Sequence, residues 1–152
     1  MEEIVLHGHG TFDLVSELDL LGDVLTTQLR GTRHQTVLVT DKTLANVVAY
    51  ARLFLSGDDA AAVAAMTRLR AVTAHLYDVV FYCTDHFNPR QAGDDFRDKI
   101  ADRQHDVDRS LRDTFAEIGV PLIGFPGGLT TARRVEWISC YLADRGLLPT
   151  LG

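Results

Sequence analysis

An acid-base pair, Asp41-Lys42, stands between the apolar run Val37-Leu38-Val39 and a stretch of helical period that begins at Thr43. In an open α/β sheet, ligands bind beyond the carboxyl ends of the strands, so a carboxylate and an ammonium at such an end are placed to orient a small polar substrate. The same pair is equally well placed to begin a helix. A second group is cationic: Arg90, Arg97, Lys99, Arg103, Arg109 and Arg112 follow closely on one another in an otherwise acidic chain. Guanidinium forks fit phosphate oxygens, and a loop that swings arginine over a bound phosphate also shuts water out. The steps of six from Arg97 to Arg103 to Arg109 drift around a helix, so at most two of these side chains point at one ligand. The remainder face Asp94, Asp98, Asp102, Asp106 and Asp108 in solvated ion pairs.

Other polar residues carry less. His7 and His9, two apart on a strand, share a face and could ligate a metal, but no third ligand is placed beside them by the sequence. Asp85-His86 could do acid-base work, yet no nucleophile accompanies it. Trp137, Tyr141 and Leu142 follow helical spacing and read as core or contact surface.

The elements that must position these groups come from periodicity. "EEIVLHGH" reads as a short strand, and "TFDLVSELDLLGDVLTTQLRG" as a helix with apolar positions at Leu14, Leu18, Leu21 and Leu25 that stops at Gly31. "QTVLVTD" is a second strand, followed by a helix from Thr43 to about Leu55 and, after "SGDD", another through "AAAVAAMTRLRAVTAHLY". "DVVFYCTD" has the unbroken apolar character of a strand covered on both faces. "HFNPRQAGDD" is a loop, "FRDKIADRQHDVDRSLRDTFAEIG" a long charged helix closed by Gly119, "VPLIGFPGG" a last strand, and "LTTARRVEWISCYLADRGL" a helix capped by Thr130 or Thr131. The order β-α-β-α-α-β-α-β-α predicts a three-layer α/β/α architecture with a mostly parallel sheet, its polar strand tips gathered along one edge.

Composition narrows the function classes. The 152 residues make one domain, 1–152, with material for a single core, and the net charge of −6 lacks the basic face that nucleic-acid binding requires. A small anionic ligand held by a local cluster stays allowed. Cys83 and Cys140, the two cysteines, sit in apolar surroundings and read as buried free thiols of a reducing, cytoplasmic compartment. The acidic N-terminus does not resemble a signal peptide, and no apolar run is long enough to span a bilayer, so no membrane partner is expected.

"VLVTDKTLANVVAYARLF", followed by "YDVVFYCTDHFNPRQAGDDFRDKIADRQHDVDRSLRDTFAEIGVPLIGFPGG", resembles the P-loop kinase-like ATPases of the NadR type, the AAA/ribosylnicotinamide kinase-like domains. The likeness covers roughly residues 35 to 145. It implies a P-loop NTPase-like fold that binds ATP and Mg2+ and transfers a phosphoryl group to a nucleoside or other small metabolite. Asp41 would stand at the acceptor and magnesium edge, with Lys42 where the family has arginine and Asn46 where a second acid is common. Arg97 and Arg103 would be arginines of a lid over about 86–104, and Gly127, Gly128 and Thr130 would form the turn beside the base. Lysine does not reproduce a bidentate guanidinium contact.

The family's phosphate loop, G-x-x-x-x-G-K-[ST], is not in this sequence. Either "EEIVLHGHG" is a degenerate first strand and loop, or it corresponds to the family's second strand. The span of about thirty residues from Gly10 to Asp41 favours the second. The resulting expectation is a kinase-like nucleotide-binding protein, weak or inactive as this chain and able to form a homo-oligomer. The alternatives are a non-catalytic interaction or regulatory module that retains the scaffold, and an unrelated flavodoxin-like sheet.

Overall fold

The structure, a computed structural model, describes residues 12–34, 37–83 and 103–148. Among the described residues five α-helices and two short strands follow one another: α1 (Leu14–His34), α2 (Leu44–Phe54), α3 (Ala60–Thr73), β1 (Val80–Tyr82), α4 (Gln104–Glu117), β2 (Leu122–Gly124) and α5 (Thr131–Asp144). Single 3-10 turns, Gly57–Asp59 and Ala74–Leu76, flank α3.

The centre of the fold is a helix. In α2, Leu44, Ala45, Val47, Val48, Ala49 and Ala51 are all buried, and α1, α3 and α4 pack around it. A helix apolar on nearly every side is stable only when it is covered on every side. The alanines at 45, 49 and 51 keep α2 slim enough for three neighbours to approach. Leu21 of α1 and Met66 of α3 complete the core with Leu44, Val47, Val48 and Ala51, while Val107 and Phe115 are the buried apolar residues of α4.

The expected three-layer architecture is not what forms. About 69% of the described residues are helical and 5% lie in strands, and the described sheet has two strands. β1 and β2 run parallel, with Val80 opposite Leu122, Phe81 opposite Ile123 and Tyr82 opposite Gly124. The chief misreading is the segment 37–41, expected as a central strand. It is irregular, and Val37, Leu38 and Val39 are 41%, 38% and 85% exposed. β-Branched composition favours a strand only where a neighbour supplies the ladder and a face to cover it. Among the described residues nothing pairs with this segment, because α2 occupies the place a central strand would need.

Gly31 does not stop α1, which continues to His34. The Leu38 side chain lies over it, and a Cβ there would come within 2.7 Å of Leu38 Cδ1. Close approach of the chain after α1, rather than helix termination, accounts for this glycine. The N-terminal strand expected before residue 12 lies outside the described residues. Cys83 and Cys140 are free, as expected, but exposed rather than buried.

The small sheet and α5 form a separate aromatic cluster. Phe81 packs against Phe125, Trp137 and Tyr141 with ring centroids 5.3–5.9 Å apart. Trp137 and Tyr141, one helical turn apart, stack on each other at 5.5 Å. Offset and edge-on pairs of this kind suit the ring quadrupoles.

Candidate functional site

The sequence-expected site residues fall at three places. Asp41 and Lys42 lie at the start of α2, where a polar network closes the helix N-terminus. Gln28 of α1 is buried; its Nε2 donates to the Lys42 carbonyl at 3.0 Å, and its Oε1 accepts from the Tyr77 hydroxyl at 2.7 Å. The Leu44 amide donates in turn to the Tyr77 oxygen at 3.2 Å. Thr43 caps the helix in a reciprocal box with Asn46: the Thr43 amide donates to Asn46 Oδ1 at 2.9 Å, and the Asn46 amide donates to Thr43 Oγ1 at 3.3 Å. Four amides of a helix start lack partners within the helix. Here side chains accept from three of them, at Thr43, Leu44 and Asn46, which accounts structurally for Asn46. The Asp41 side chain is exposed.

Arg103 lies at the other end of α2. Its Nη1 donates to the Leu53 carbonyl at 3.3 Å, its guanidinium stands 4.8 Å from the centre of the Phe54 ring, and Asp106 Oδ2 is 3.6 Å from its Nε. A cation at a helix C-terminus neutralises carbonyls left without partners. Eleven residues of helix, about 16 Å, separate that end from Lys42. Gly127, Gly128 and Thr130 form the turn between β2 and α5. Gly128 has φ +73°, and Thr130 Oγ1 accepts from the Arg133 amide at 3.4 Å to cap α5. The structure therefore brings Asp41 and Lys42 together but puts Arg103 a helix length from them. Arg97, most of the expected lid, Asp85-His86, His7 and His9 lie outside the described residues. Among the described residues no three His, Cys, Asp or Glu side chains are grouped to hold a metal ion, and Asp41 stands in no such group.

Two clusters escaped the sequence reading. One joins α2, α3 and α4 through Glu117, whose carboxylate accepts from Arg52 Nη1 and Nη2 at 2.8 Å each and from Arg70 Nη2 at 3.0 Å. Arg70 is only 3% exposed and also donates to the Thr114 carbonyl at 3.0 Å. Hydrogen bonds from Arg52, and then from Arg70, hold the Glu117 carboxyl below its ordinary value against a desolvation that pushes it up. A shallow groove of about 470 Å³ opens beside this ion pair, between Arg52, Arg103, Arg109 and Asp113.

The other cluster is at the start of α1. Asp13 accepts from the Ser16 amide at 2.9 Å and from the Ser16 hydroxyl at 3.0 Å, contacts that hold its carboxyl low. Glu17, one turn on, faces the core at 5% exposure, and its Oε2 is buried without a hydrogen-bond partner. Burial, with the Asp13 charge adding, pushes the Glu17 carboxyl up to about 7; the Lys42 ammonium opposes this. Glu17 also raises the Tyr50 phenol, which burial alone already pushes up. A signal for this cluster existed: Glu17 and Gln28 are the polar members of the otherwise apolar series Leu14, Glu17, Leu21, Val24, Gln28.

Comparison with protein-family models, curated proteins and solved structures finds no match to this chain. Function therefore rests on what the described surfaces can do. No described helix is long and apolar enough to cross a membrane.

The surface that stands out belongs to α1. Val15 is 77% exposed, Leu18 44% and Leu29 40%, with half-buried Leu25 between the last two. Together with Gly22, where an added Cβ would meet nothing within 4 Å, they recur at intervals of three, four, three and four residues. That is the repeat of a helix-docking seam. It lies one residue, about 100° of helix, from the series that packs on α2. The expected single stripe of Leu14, Leu18, Leu21 and Leu25 straddles the border between the two: Leu21 is buried in the core and Leu25 packs against it, whereas Leu18 is exposed.

Proposed function

We propose that this chain works as a helical docking module that receives a partner helix along the outward seam of α1. The observation that carries this is the seam itself: exposed Val15, Leu18 and Leu29 at heptad spacing, with Leu25 at its border with the core, on a helix whose adjacent series is already used against α2. Isolated exposed apolar residues need no explanation, but a row in register for helix packing does. Some of the residues expected at a phosphate-transfer site have a structural use at the ends of α2: the Lys42 carbonyl and Asn46 at its start, and Arg103 at its end.

A photoreactive amino acid placed at position 15 or 18 in the producing cells tests this. The expected result is a discrete crosslinked species from both α1 positions, lost on Leu18→Asp when the probe is at 15. The same probe at Val72, 65% exposed on α3, is expected to give none. No product from α1, or equal product from position 72, would overturn the docking reading. Addition of ATP with Mg2+ is expected to leave crosslinking unchanged. Tight, magnesium-dependent ATP binding by the purified chain would instead favour a phosphotransferase acting through Asp41, Lys42 and Arg103.

A further inference from the structure

Resting on that docking reading, we infer that the partner helix is α1 of a second copy of this chain, packed antiparallel about a two-fold axis. Charge placement is the reason. The seam has the protein core on one flank, and the other flank carries Asp19 and Asp23 in the N-terminal half of α1 and Arg30 and Arg33 in the C-terminal half. All four are exposed, and none forms an ion pair among the described residues.

A two-fold axis perpendicular to two helices reverses their direction and lays the same flank of each beside the other. The acidic half of one flank then meets the basic half of its copy at both ends. A parallel pair would set each charged flank against the other copy's core flank, with no opposite charge to meet.

The seam fits the same symmetry. With Leu18 opposite Leu29 of a second copy, Gly22 falls opposite Leu25 near the two-fold axis. A glycine inside a helix costs about 1 kcal/mol relative to alanine. Nothing within the described chain needs the space at Gly22. In the pair that space receives a leucine of the other copy and lets the backbones approach closely. From Val15 to Leu29 the seam is about 21 Å long, a small interface by the standards of stable dimers. The dissociation constant is therefore expected on the order of micromolar.

Sedimentation equilibrium over about 1–200 µM protein provides the test. The expected limiting mass at high concentration is twice the 16.8 kDa of the chain. Leu18→Asp should weaken association at least about tenfold, because each substitution enters a two-fold interface twice. Asp19→Arg with Asp23→Arg should weaken it, and adding Arg30→Asp with Arg33→Asp should restore it. In a background carrying Cys83→Ser and Cys140→Ser, Gly22→Cys with Leu25→Cys should oxidise to a covalent dimer. Far-ultraviolet circular dichroism of each variant identifies any that fails to fold.

A chain that stays monomeric throughout overturns the inference. So does a dimer indifferent to Leu18→Asp, or a charge exchange without rescue. A monomer whose α1 still crosslinks to a different protein, sensitive to Leu18→Asp, would defeat self-pairing while leaving the docking reading intact. A monomer with no α1 crosslink would defeat both.

Discussion

Glu17 should make this protein lose stability as the solution turns from mildly acidic to neutral. Its carboxyl is buried against α2 with one oxygen lacking a partner, and its proton is held up to about 7 rather than 4.5. The native state therefore binds a proton that the unfolded chain has released. Stability is at its reference below about pH 4.5, falls while the unfolded chain alone is ionised, and levels off above about pH 7. At about 1.36 kcal/mol per tenfold change in proton affinity, the full difference is about 3 kcal/mol, of which about 2 is lost between pH 5 and 7. That is a large share of a total of about 5–15 kcal/mol.

The assay is urea unfolding followed by circular dichroism at about pH 5, 6, 7 and 8, for the native sequence and for Glu17→Gln. Taking the difference between the two proteins cancels the pH dependence they share. Glu17→Gln should be the more stable at pH 8 by about 2–3 kcal/mol, with the gap shrinking steadily toward pH 5. Glu17→Met, which leaves no polar atom to satisfy, should behave likewise. Parallel profiles for all three proteins would refute the claim that a neutral Glu17 belongs to the native state. On the acid side the sign reverses. Asp13 and Glu117 are both held low, so the stability they add above their ordinary values is lost as pH falls through their folded ones, which places the optimum at mildly acid pH.

Two further outcomes are expected. Glu117→Ala leaves Arg70, 3% exposed, without its counter-charge and should cost about 2 kcal/mol by urea unfolding; this is less than the 3–5 of a wholly buried pair, because Glu117 is 45% exposed. Glu136→Ala, which breaks only the surface contact with Arg133, is the control and should change stability by less than about 0.5 kcal/mol. Asn46→Ala removes the acceptor for the Thr43 amide and should cost about 1 kcal/mol, whereas Asn46→Asp keeps an acceptor at the helix N-terminus and should fall within about 0.5 kcal/mol of the native protein. Equal losses for alanine and aspartate at 46 would show that the cap bond is not what this residue contributes.

Helix positions were legible where local chemistry decides them. α2, α3 and α5 lie where the apolar periodicity puts them, and Thr130 caps α5. β1 and β2 fall within "DVVFYCTD" and "VPLIGFPGG" and pair in parallel, but they are three residues each and half-buried or exposed rather than covered on both faces. The architecture was not legible, because it turns on a competition that no single segment records. Val37-Leu38-Val39 has the composition of a buried strand, and "LANVVAYARLF" has that of a helix buried on all sides. Both sought the centre of the molecule, and the helix holds it. A helix satisfies its own backbone bonds, whereas a central strand needs two neighbouring strands to do the same.

The same competition gives the polar residues around Asp41-Lys42 a structural use. Once α2 is the central element, its ends are polar backbone inside a packed helical layer, and each must be closed by side chains. Gln28, Tyr77, Thr43 and Asn46 close the start, and Arg103 reaches the last turn at Leu53. Polar residues gathered at the end of an apolar run therefore carry two meanings, ligand site or helix closure, and only the identity of the run separates them. On α1 the ambiguity has the opposite form. Leucines at 14, 18, 21 and 25 form one stripe about 60° wide, but that stripe straddles the edge of the contact with α2: Leu21 is buried in the core, while Leu18 is 44% exposed. The row that continues outward through Val15 and Leu29 is left over by the packing on α2, and under the proposed docking reading the charges beside it would select the helix it meets.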